Sequence, residues 1–479
     1  MAEQKMNKNQ SRVSFGRESI SFNVEAVTES NVVDLVEKAL QIHAVNQIDI
    51  DYLYNYVKGR QPILTREKVV RPEINNKVVV NRALEIINFK VANQVGEPVQ
   101  YVNRTNEETI NDDISFFNDL MHLEKKSSKD VSLVAWMFIA GIGYRLILPR
   151  KKLDVDDSEL EVLTLDPRFT FVAEKSNASN DKLFGCMIVA SEDNEPVFCV
   201  YTKDRYYEIK DKQIIKNEAH ILNNIPIIVY KPNMFCLGAF EPVIPLLDAI
   251  NTTYSNAVDG IEQFVQSLMK FVNVDISEED FQTLKELGAI KLRSTSSDPA
   301  DVSYMNQPMS QADTLKLTSA MYQDVLTICM MPNRNGGSST SDTGIATVMR
   351  DGWESAEAFA KSVETFFKES EMDFLKIALR IVRTTNTKLN LGLKNIDIRF
   401  TRRNYENIAS KAQVLTQMLS SDKVHPLLAF TYSNMFSDPG VAYNMSKQYA
   451  EEQKTEALKE LEAYEEGLSK PREGEEVNV

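Results

Sequence analysis

SQADTLKLTSAMYQDVLTICMMPNRNGGSSTSDTGIATVMRDGWESAEAFAKSVETFFKESEMDFLKIALRIVR, residues 310–383, decides how this chain is built. It reads as a helix, a polar loop and a second, very long helix. The first helix opens at Ser310-Gln311-Ala312-Asp313 like a capping box, with Asp313 in place of the usual Glu or Gln. Leu315, Met321, Tyr322, Val325 and Ile328 then recur at helical spacing, and Pro332 stops the run. The loop Asn333-Arg334-Asn335-Gly336-Gly337-Ser338-Ser339-Thr340-Ser341 has no apolar side chain; Ser341 or Asp342 can cap the second helix. From Ile345 through Val348, Trp353, Phe359, Val363, Phe367, Phe374 and Ile381 a 3.6 period predicts a helix of roughly 60 Å. Such a stripe is too long for one small core. It must run along other long elements or other subunits.

Upstream, Pro242 is placed to start another long helix, with Val243, Leu247, Ile250, Tyr254, Ile261 and Leu268 on its apolar stripe. Residues 269–307 form a compact excursion between the two helices. It holds a strand near Phe271–Val274, a helix Glu278–Leu287 and a strand Ala289–Leu292. From Tyr144 to Tyr230 the period shortens, predicting strands at 144–148, 160–165, 169–172, 183–190, 197–202, 205–209 and 227–230. Helices precede this β-rich module, at 31–56, around Ala83–Val91, at 109–123 and at 129–141. The second of these ends at Gly96-Glu97-Pro98, read as a C-cap glycine followed by proline. Beyond Arg383 come a strand at 396–401, helices at 407–419 and 427–436, and an acidic tail from Glu451. Residues 1–30 are polar and read as a flexible segment. The fold class is α+β, mainly helical.

Lys+Arg 54 against Asp+Glu 69 gives a net charge of −15, so the chain as a whole is no electrostatic trap for nucleic acid. No run of 18 apolar residues predicts a membrane span, and the first residues lack the apolar core of a secretion signal. Cys186, Cys199, Cys236 and Cys329 show no CxxC pairing and read as buried thiols. His43, His122, His220 and His425 lie far apart, without ligand spacing, so neither a metal nor a cofactor is expected. No catalytic motif is present, and Gly336-Gly337 lacks the Gly-Lys-Ser/Thr of a phosphate-binding loop. The chain is read as a non-enzyme. Arg334 is the one cation of the polar loop. Met321, Met330, Met331 and Met349 suit either a repacking joint or ordinary core filling.

A helix, a small insert, a second helix, a polar loop and a spine-like helix, in that order, resemble the portal proteins of tailed double-stranded DNA phages, in the family with the SPP1 portal. The residues carrying the resemblance are Tyr52–Gly59, Asn75–Val80 through Val99, Thr164–Phe169, Asn224–Tyr230, Phe240–Val243 with Leu247-Asp248-Ala249 and Tyr254-Ser255, Ser341–Ala346 and Ile398–Arg402. They span roughly Asn46 to Glu452. Similar portals read Ser-Gly-Val-Ala where this chain reads Ser341-Asp342-Thr343-Gly344-Ile345-Ala346.

The resemblance implies a wing at 31–239, stem helices at 240–268 and 310–331, and a clip at 269–309. It further implies a tunnel loop at 332–342, a spine helix at 343–385, and a crown with C-terminal helices at 386–450, before the tail at 451–479. It implies a homo-oligomeric ring, a dodecamer, through which double-stranded DNA is packaged and ejected without sequence preference. Its partners would be the large terminase subunit, the head–tail adaptor, and the major capsid and scaffold proteins, but no membrane. It would assemble in the host cytoplasm and reside at the capsid vertex of the virion. The loop Asn333–Ser341 would touch DNA. The clip would dock partners through Glu278, Glu279, Asp280, Lys285 and Glu286. The alternative is another capsid-associated structural or adaptor protein with a portal-like core.

Overall fold

The computed structural model describes residues 16–105, 110–150, 154, 157–265, 269–272, 278, 282, 301–304, 311–333, 352–385, 389–401, 408–433, 435–436 and 439–469. Helices α1 (Val32–Val57), α2 (Arg82–Val95), α3 (Asn111–Leu123) and α4 (Lys126–Ala140) come first, interrupted by strand β2 (Gln100–Asn103). Their apolar faces meet in the largest core, which also receives the long helix α7 (Trp353–Thr385).

The β-rich module is two sheets. The larger has the order β1-β5-β6-β7-β8-β9. It comprises β1 (Ile20–Phe22), β5 (Thr170–Lys175), β6 (Lys182–Ala190), β7 (Pro196–Tyr201), β8 (Arg205–Lys210) and β9 (Gln213–Ala219). Strands β10 (Ile227–Tyr230), β3 (Gly143–Pro149) and β4 (Leu160–Leu165) form the smaller sheet. Phe171, Phe184 and Val200 of the larger sheet close on Leu35 and Val36 of α1 in a separate core.

Helices α5 (Ile244–Val265) and α6 (Gln311–Ile328) pack side by side. Between them, β11 (Met269–Val272) and β12 (Asp301–Tyr304) pair antiparallel, with Met269 opposite Tyr304. Strand β13 (Ile396–Arg399) pairs with β2, and helices α8 (Ile408–Leu419), α9 (Pro426–Ser433) and α10 (Pro439–Ser469) complete the described chain.

Five sequence expectations need correction. Residues 16–30 are built into the fold. Strand β1 pairs parallel with β5, and buried Arg17 donates to Glu241 at 2.7 Å. Strand β9 was not foreseen because its hairpin turns on Asp211-Lys212, with φ of 50° and 63°, rather than on the Asn-Gly that usually marks such a turn. Gly96 has φ −63°, so it ends α2 without the left-handed turn expected of a C-cap glycine. Pro242 lies in a 3-10 turn, Glu241–Val243, and the α-helix starts one residue later. The long helix starts at Trp353, because Gly352 has φ 79° and no α-helix passes through that conformation. Its 33 residues span about 50 Å. The expected helical stretch 345–351 lies outside the described residues.

Candidate functional site

One end of the α5–α6 pair joins the main core, through Ile244, Leu247 and Ile250 of α5 and Val325 and Leu326 of α6, and a strap runs along α5 beyond it. Asn251, Ser255 and Asp259 follow one another at four-residue spacing along α5, and all three are buried. The extended segment Asn76–Val80 runs beside them. Asn76 N–H donates to Asp259 Oδ1 at 2.7 Å, Val78 N–H to Ser255 Oγ at 2.9 Å and Val80 N–H to Asn251 Oδ1 at 2.8 Å. The spacing works because four helical residues rise about 6 Å and two extended residues about 6.6 Å. Lys68 and Arg66 reach Asp259 Oδ2 at 2.7 and 3.1 Å. Burial opposes ionisation of Asp259, but Lys68 and the Asn76 donors outweigh it and hold the carboxyl below its usual range.

Farther along, α5 and α6 expose apolar side chains. Leu315 is 60% exposed, Leu317 56% and Ile261 50%. At the far end, the β11/β12 pair forms the neck of the 269–307 insert. Of the expected docking residues, Glu278 is exposed and helical. Glu279, Asp280, Lys285 and Glu286 lie outside the described residues.

At the other end of α6 the two feet of the polar loop come together. A Cβ on Gly352 would sit 3.8 Å from both Met331 O and Pro332 Cα. Asn333 is half-buried, its Oδ1 3.5 Å from Gln323 Nε2. Arg334 to Ser341 lie outside the described residues. Helix α2 braces both feet. Tyr322 of α6 donates to Glu85 at 2.9 Å and lies under the Arg82 guanidinium. Phe89 meets Trp353 of α7 at a ring separation of 5.9 Å. The Lys90 amine sits 3.6 Å over the Phe359 ring, and burial pushes it down to about 8, with Cys329 a smaller opposing influence. Sequence reasoning missed this brace. Its one signal was a lysine at a core position of α2, between Ile87 and Val91.

A buried charge cluster locks α7 to its surroundings. Glu371 accepts from Lys126 at 2.9 Å, Arg145 at 3.2 Å and the Tyr230 hydroxyl at 2.6 Å, and also from Tyr101. Asp130 pairs with both Lys126 and Arg145. Burial opposes the charge on Glu371, but Lys126 and Arg145 overcome it and hold the carboxyl down at about 2. Among the described residues no His, Cys, Asp and Glu group could hold a metal, and no helix is long and apolar enough to cross a membrane.

Paired helices with a necked insert at one end and a closed loop base at the other are the order the sequence suggested. A profile described as "Phage portal protein, SPP1 Gp6-like" matches residues 37–459 of the 479. The chain belongs to that portal family. No curated protein matches it. The portal family is structural, so the charge cluster under α7 is read as a scaffold for this portal protein.

Proposed function

We propose that copies of this portal protein close into a ring, a dodecamer, around a channel that passes double-stranded DNA during packaging and ejection. The observation that carries the reading is the exposed apolar surface of α5 and α6 on a chain of the portal family. In a closed ring each subunit covers its neighbour's exposed stripe, so no apolar edge is left over. The strap on α5 fixes the angle at which the helix pair leaves the core. The loop 332–342 faces the channel as a tunnel loop. Its polar, glycine-bearing sequence changes shape at little cost and makes no sequence-specific base contact. The insert beyond β11 and β12 is the clip, docking the large terminase subunit during filling and the head–tail adaptor afterwards. The ring sits at one vertex of the capsid, against the major capsid and scaffold proteins.

Light scattering on the purified chain tests the ring. Twelve copies of 54.4 kDa give a particle of about 650 kDa. A stable monomer at every concentration overturns the reading. Deleting part of Asn333–Thr340 should leave that particle intact and impair packaging or retention of DNA. Normal packaging by the shortened protein removes the loop from the mechanism.

A further inference from the structure

The C-terminal half of α7 carries Lys376, Arg380 and Arg383 at i, i+4 and i+7, on one face. With Leu379, Thr384 and Leu393 they line a cleft of about 420 Å³. Three clustered cations stand out in a chain of net charge −15. Among the described residues none of the three forms an ion pair. Arg380 donates to the Leu222 carbonyl at 2.5 Å and Arg383 to the Leu391 carbonyl. Those bonds fix the guanidinium groups in place without cancelling their charge. Half-buried Leu393, beside buried Leu379, gives the cleft an apolar part inside a cationic rim. A DNA duplex presents phosphates on a broad convex surface and has nothing to fill the apolar part. A protein segment bearing both apolar and acidic side chains does.

Helix α10 of this same chain is such a segment. Val441, Met445 and Tyr449 are 48%, 67% and 64% exposed, and Glu452 and Glu456, also exposed, continue the same face. Glu452 and Glu456 are four residues apart, as are Lys376 and Arg380, so both pairs repeat at about 6 Å. Within one chain the α10 face stays uncovered and the α7 cleft stays open. We propose that α10 of a second copy seats in this cleft. Its apolar face covers Leu393, and its two glutamates meet Lys376, Arg380 and Arg383. This contact rests on the ring reading, since it needs a neighbouring copy.

Zero-length carbodiimide cross-linking of the full chain tests it, using a mixture of ¹⁴N- and ¹⁵N-labelled protein. The expected product joins Lys376 to Glu452 or Glu456 in a peptide pair of mixed isotopes. M445S with Y449S, on the same exposed helix face, leaves both reacting groups in place and should cut that yield about tenfold, the loss of about 1.4 kcal/mol of apolar contact. K376R should remove the cross-link and keep the particle size. An intact ring without the mixed-isotope pair overturns this contact alone. A pair found only within single-isotope chains also overturns it. A monomer at every concentration overturns the ring and the contact together.

Discussion

Glu371 shows what a single side chain can decide. It lies fully buried on α7, and its ionised form survives only because Lys126, Arg145 and two tyrosine hydroxyls surround it. Glu371→Gln removes the negative centre and leaves two buried cations sharing Asp130. The expected cost is about 3–5 kcal/mol, read as a lowered urea midpoint with an unchanged slope. The folded carboxyl titrates below the unfolded one. Its stability contribution is therefore present above the ordinary carboxylate range and is lost as pH falls toward about 2. Lys90 works in the opposite direction. Burial holds its amine down at about 8, whereas the unfolded chain keeps that proton to about pH 10. Between those values the unfolded chain binds more protons, so Lys90 adds stability as pH rises. Buried Cys329, held up to about 11, opposes this slope, so the comparison must be with a variant. From pH 8 to 9.5, wild type should gain about 2 kcal/mol relative to Lys90→Met. Parallel pH profiles would show that the amine does not titrate there. Neither residue was legible in the sequence as what it is. The partners of Glu371 come from positions 101 to 230, and charge partners at such separations leave no local pattern.

Elements were legible wherever period and punctuation agreed. The apolar stripes of α1, α4 and α5, the alternating run of β4 and the continuous apolar run of β6 announced themselves, because each buries one face or both. Strand β9 did not, because its turn uses Asp211-Lys212, and neither did β12, four residues of mixed polarity beside a proline-bearing stretch. The apolar period also ran across Gly352, where hydrophobic spacing says nothing about φ. The strap on α5 was half visible. Asn75–Val80 stood out, but its zipper depends on a match between extended and helical rises that one sequence pattern does not express. That match predicts a graded response. Ser255→Ala removes the middle acceptor and leaves Val78 N–H unpaired, costing about 1–3 kcal/mol. Asn251→Ala with Ser255→Ala should cost more than the sum of the single changes, because adjacent teeth hold the same segment in register. Hydrogen exchange of Val78 and Val80 measures this directly. Unchanged protection in the double variant would show that neighbouring packing, not the strap, holds the segment.

At the scale of the whole molecule, the fold of one chain leaves a mismatch between stability and surface. Helix α7 buries one face along its length on core partners, and the charge cluster gives it a fixed seat. Helix α6 differs, since Leu315 and Leu317 near its start face solvent while Val325 and Leu326 near its end are in the core. An apolar side chain already in water contributes little to the stability of its own chain, so removing it should not unfold that chain. In a ring the same side chain is covered by a neighbour, and each leucine then contributes about 1.5–3 kcal/mol to association at every interface. Leu315→Ser with Leu317→Ser should therefore leave the urea midpoint of the single chain within about 0.5 kcal/mol of wild type. The same pair should lower the particle mass toward 54.4 kDa on dilution, well before wild type dissociates. Mass photometry across a dilution series separates the two effects. A variant that keeps the large particle at every concentration would show that the ring is closed by surfaces other than the α5–α6 pair.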